Sequence, residues 1–142
     1  MTQELTFAAR LPDWRPRLSA YLAATGARAF RPGSHDCALF AAGAVEAMTG
    51  MDGAAQWRGA YRSLDDGQLL LQQAGYDDHV ALVAAHFPEV HPSQGAVGDL
   101  AALPGADGSP ALGIIQGASV YVLQPSGVAL VNRLLIERAF RV

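Results

Sequence analysis

The sequence contains one cysteine, Cys37, and no lysine; all ten of its basic residues are arginine. A single cysteine excludes an internal disulfide and any multi-cysteine metal site. Only 16% of the 142 residues are charged, and the formal net charge is −3. There is no basic stripe, which argues against nucleic-acid binding. No run approaches the roughly 18 apolar residues that a membrane-spanning helix needs. The start, Met1 to Arg10, lacks the basic stretch and apolar core of a secretory signal. Synthesis in the cytoplasm is therefore the expectation. Internal repeats and low-complexity linkers are missing too. The four histidines, His35, His79, His86 and His91, include no pair at the i, i+4 spacing of helical zinc ligands. Neither a metal nor a cofactor is expected.

What is present divides into two compositional halves. Residues 1–95 are rich in Ala at helical spacing, and residues 96–142 in Val, Ile and Leu with frequent Gly and Pro. This pattern predicts one α+β domain over 1–142, with a helical part at about 12–87 and an antiparallel sheet at about 96–142. Asp13 is the expected cap of a first helix that Gly26 closes, with Trp14, Leu18, Tyr21 and Leu22 on one face. A second helix is predicted from Asp36 to Gly50, burying Phe40, Ala41, Ala44, Val45 and Met48. Its Ala38, Ala42 and Gly43 are small enough for another backbone to lie close. A short helix is expected at 54–61. Ser63 reads as the cap of a helix that Gly75 stops, and Asp77 or Asp78 as the start of another that ends near His86. Pro88 and Pro92 then break the chain. Strands are expected at 98–103, 111–116, 119–124, 127–132 and 138–142. The pairs Asp65-Asp66 and Asp77-Asp78 suit helix starts, where a negative charge meets the dipole. Gly105 to Gly108 reads as an exposed loop.

Cys37 follows Asp36 at the predicted start of the second helix. A helix N-terminus offers unpaired N–H groups and the positive end of a dipole, both of which favour a thiolate. Cys37 is thus a candidate nucleophile, against the alternative of a small buried apolar residue. Asp36 itself reads as the helix cap. A nucleophile needs a base. His35, two residues away, and His91, in a loop before Pro92, are the candidates. His79 and His86 read as solvent-facing helical residues. Trp57 and Tyr61, beside Arg58 and Arg62, read as a core stripe or, if exposed, as an interface cluster.

The segment Gly33-Ser-His-Asp36-Cys37-Ala-Leu39-Phe40 resembles the nucleophile segment of the NlpC/P60 cell-wall peptidases. Gly98-Asp99-Leu100 resembles the start of that family's first core strand, and Ala111-Leu-Gly-Ile-Ile-Gln-Gly117 its next strand. The three occur in the same order and at similar spacing over roughly residues 14–142. The sequence is still more similar to a small branch of that superfamily encoded in tail gene clusters of phages and gene transfer agents. There an Asp-Cys-Ala-Leu-Phe-Ala-Ala stretch and an aromatic-Arg-Val end like Phe140-Arg141-Val142 recur. The resemblance implies a papain-like fold, N-terminal helices packed on a small C-terminal antiparallel sheet. It also implies other tail or tail-tip proteins as partners, peptidoglycan as a possible substrate, and a final location in an assembled tail. In the peptidases the catalytic His begins the second strand, which corresponds here to Ala111. They also have Ser where Ala38 stands, and a Tyr where the nearest aromatic is Phe30. The expectation is therefore a peptidase-like domain that lacks a complete dyad and serves in tail-tip assembly or plugging. The alternative is an active cysteine peptidase or amidase that cuts peptidoglycan stem peptides during DNA delivery. A binder of small molecules or glycans in the emptied cleft is a third possibility.

Overall fold

The computed structural model describes residues 9–105 and 107–142. Met1 to Ala8 of the segment read for a signal, and Ala106 of the Gly105–Gly108 loop, lie outside the described residues. Four helices come first: α1 (Trp14–Thr25), α2 (Cys37–Thr49), α3 (Leu64–Gln73) and α4 (His79–His86). Six strands follow: β1 (Glu89–Val90), β2 (Leu100–Pro104), β3 (Pro110–Ile115), β4 (Ser119–Gln124), β5 (Gly127–Asn132) and β6 (Arg138–Phe140). They form one antiparallel sheet in the order β1-β6-β2-β3-β4-β5. The architecture is α+β. Among the described residues no helix is long and apolar enough to cross a membrane.

The sheet buries both faces, and side-chain alternation assigns each residue to one of them. Leu100, Ala102, Leu112, Ile114, Leu123 and Phe140 face the helical layer, where they meet the α2 stripe Phe40, Ala41, Ala44, Val45 and Met48. Ala101, Leu103, Ala111, Ile115, Val120 and Ala139 form the opposite face together with Ile136. Arg133 pulls the chain over that second face by donating to the carbonyls of Gly95, Pro92 and Gly117. Close packing of α1 on α2 depends on Gly43, where a Cβ would fall 2.2 Å from the Tyr21 hydroxyl oxygen. That hydroxyl donates to the Phe40 carbonyl at 2.7 Å.

The elements differ from expectation in three places. Residues 54–61 form turns in place of a helix. Asp52 accepts from the Ala54 N–H and pairs with Arg58, and Gly59 turns left-handed at φ +74°, so no helical register continues. Between Pro88 and Pro92 the chain forms β1, which pairs with β6 at the sheet edge, where flanking prolines cost no ladder bond. Asp13 stands before α1 without capping it and pairs instead with Arg17 at 2.8 Å.

Asp99 anchors the two ends of the described chain. Its carboxylate accepts from the Ala96 and Val142 amides and pairs with Arg10 at 2.8 Å. Arg10 also donates to the Val142 and Val97 carbonyls and lies 4.2 Å from the Trp14 ring centroid.

Candidate active site

Cys37 is the first residue of α2, and its position is set by Asp36. Asp36 is only 2% exposed and sits in extended backbone. One carboxylate oxygen accepts from the Leu39 N–H, which caps the helix. The other accepts from the Gly33 N–H at 3.0 Å and from the Tyr61 hydroxyl at 2.5 Å. Gly33 is required there: its φ is +86°, and a Cβ would fall 1.8 Å from the Tyr61 carbonyl oxygen. The expected capping role of Asp36 is what the structure has.

His79 is built the same way. It is the first residue of α4, behind Asp78, whose carboxylate accepts from the Ala81 N–H at 2.8 Å. The two helix starts meet, with 4.0 Å between Cys37 Sγ and His79 Nε2. The Pro110 backbone carbonyl at the start of β3 lies near the His79 ring and favours its protonated form. Far from being solvent-facing, His79 is half-buried.

The sulfur has amide neighbours. The backbone amides of Leu112, Ala38 and Cys37 itself lie near it and favour the thiolate form. The Leu112 contact follows from the sheet. Ile115 N–H bonds to the Asp99 carbonyl, so alternate residues of β3 serve β2 and the even ones face the β4 side. Pairing to β4 involves only Ile114 and Ile115. The Leu112 N–H is thereby released from the ladder.

Burial governs the protonation of the pair. It pushes the Cys37 thiol above its ordinary range, outweighing the amides, and the Asp36 charge adds to the rise. The helix terminus favours a thiolate, as anticipated, yet desolvation is the larger effect. Burial pushes His79 down, against smaller opposing effects of Asp78, Asp36 and the Pro110 carbonyl. Both effects favour the uncharged forms of the pair, thiol and imidazole. Tyr61 is raised as well, by burial and by its bond to Asp36.

The other candidate bases are not brought to the sulfur. His35 is 3% exposed, and its ring lies 6.1 Å from that of Phe40. Its Nε2 has no hydrogen-bond partner among the described residues. His91 is exposed and caps a 3-10 turn, with Nδ1 2.7 Å from the Ser93 hydroxyl. His86 stacks obliquely near Tyr76. Ala111 packs into the cluster on the sheet face opposite α2 and also borders the cleft.

Cys37 and His79 border a cleft of about 560 Å³. Trp57 and Tyr61 line it, as do Leu71, Leu82, Val83 and Phe87. Among the described residues no group of three or more His, Cys, Asp or Glu side chains could hold a metal ion. The arrangement sets a half-buried thiol beside an imidazole at the edge of a cleft, a pairing of the kind that can act as nucleophile and base.

Residues 9–142 match the family described as Domain of unknown function (DUF6950). The chain belongs to this family. No curated protein matches it.

Proposed function

We propose that this α+β domain is a cysteine acyl hydrolase of the amidase or peptidase type on a papain-like, NlpC/P60-like scaffold. Cys37 is the nucleophile and His79 the base. The observation that carries the reading is the 4.0 Å approach of His79 Nε2 to Cys37 Sγ at the edge of a cleft. Catalytic hydrogen bonds are often long before substrate binds, so this separation is within the working range. The papain-like part is supported by a cysteine at a helix start, packed on an antiparallel sheet, with a β3 amide at its sulfur.

The chemistry follows from the neutral pair. As Cys37 Sγ attacks the acyl carbon, His79 takes the thiol proton. The carbonyl oxygen gains charge near the Ala38 and Leu112 amides. His79 then passes the proton to the leaving amine or alkoxide, the C–N or C–O bond breaks, and a Cys37 thioester remains. Water hydrolyses the thioester with His79 again as base. The Pro110 carbonyl favours the transient imidazolium. The non-catalytic tail-assembly reading rested on the lack of a base at Ala111. A base supplied from α4 removes that ground and favours the active alternative.

The test is intact-mass analysis after mixing with a p-nitrophenyl ester. A transient acyl adduct on the Cys37 peptide, absent from Cys37→Ala, is expected. A folded wild-type protein that forms no adduct would overturn the proposal.

A further inference from the structure

The cleft beside the pair is one-sided in charge. Apart from the imidazoles of His79 and His86, its charged lining consists of aspartates: Asp36, Asp65, Asp77, Asp78 and Asp107. Among the described residues no arginine lines it. Several arginines are engaged elsewhere: Arg10 with Asp99, Arg17 with Asp13, Arg58 with Asp52 and Arg138 with Glu89. The remaining wall is largely apolar, with Trp57, Leu71, Leu82, Val83 and Phe87 at its surface.

A carboxylate entering such a space loses its hydration and gains no arginine partner in exchange. It also meets like charge, which is a device for rejecting wrong partners. An apolar acyl group loses nothing by leaving water, and a cationic group meets the aspartates. Building on the hydrolase reading, we infer that the cleft selects acyl donors that are apolar and neutral or cationic, and rejects anionic ones. A stem peptide presenting carboxylates next to the scissile bond belongs to the rejected class.

The test uses two reagents of nearly equal size, neutral iodoacetamide and anionic iodoacetate, with 2-mercaptoethanol as reference thiol at the same alkaline pH. The preference of Cys37 for iodoacetamide is expected to exceed that of the reference by about tenfold or more at low ionic strength. At about 1 M salt, where the Debye length is about 3 Å, the excess should shrink. Asp78→Asn, which keeps a capping side chain and removes a charge, should also reduce it. A preference equal to the reference would overturn the selectivity while leaving the pair intact. A Cys37 inert to both reagents when folded, yet alkylated in urea, would overturn the hydrolase reading itself. With p-nitrophenyl esters the expected order of acylation is octanoate, then acetate, then hemisuccinate. Hemisuccinate as fast as acetate would overturn the inference by a second route.

Discussion

Asp36 and Asp99 are both 2% exposed, and both hold a chain reversal together with backbone amides. Only Asp99 has a cation, Arg10, at 2.8 Å. Asp36 has the Tyr61 hydroxyl in that place. At the Asp99 corner charge is compensated and the result is a staple between chain ends. At the Asp36 corner the negative charge is left to act on its neighbours, and it helps keep the Cys37 thiol protonated. The same residue type, equally buried, is structural in one place and electrostatic in the other.

The comparison can be broken in graded steps. Asp99→Asn leaves Arg10 without its anion and should cost about 3 kcal/mol, since removing one partner of a buried pair strands the other. A urea midpoint unchanged by this substitution would show that the staple carries no stability. Asp36→Asn keeps an acceptor for Leu39 but turns an amide donor toward other donors; about 2 kcal/mol is expected. Its sharper signature is chemical. Loss of the charge should lower the Cys37 pKa and speed alkylation at pH 8, whereas Asp99→Asn should leave that rate unchanged. Tyr61→Phe removes one charge-assisted bond to Asp36 and should cost about 1.5 kcal/mol in the same melts. The mildest effect is expected from acid. His35 and His79 are held below their ordinary value of 6.5 by burial. The unfolded chain therefore binds these protons first, and stability present above pH 6.5 should decline as pH falls through that value. His35→Phe, which keeps an aromatic ring against Phe40, should flatten part of that slope.

Much of this was legible in the sequence. The α2 stripe, the caps Asp36 and Ser63, and strands β4 and β5 follow from periodicity and turn chemistry, because each is decided by residues within a few positions. The turn segment at 54–61 was not, because Asp52 and Gly59 override a helical spacing that is otherwise acceptable. Strand β1 escaped because it pairs with β6, the last strand of the sheet, and that long-range pairing leaves no local mark. At the site, Cys37 was legible from its place behind Asp36. His79 was not, because its partner is 42 residues away. One signal was available. Asp78-His79 repeats the Asp36-Cys37 arrangement, a capping aspartate followed by a reactive side chain at the first position of a helix. The expectation of an incomplete dyad came from a resemblance that matched the family's base position to Ala111 on β3. The pleat directs that side chain to the other face of the sheet.

The central claim is that His79 is the base for Cys37. Single-turnover acylation of Cys37 by a p-nitrophenyl ester at pH 7 tests it most directly, comparing wild type with His79→Gln. General-base assistance is typically worth about 10²–10⁴ in rate, so a loss of at least about a hundredfold is expected. Acylation of His79→Gln at the wild-type rate, in a protein with an unchanged urea midpoint, would contradict the account.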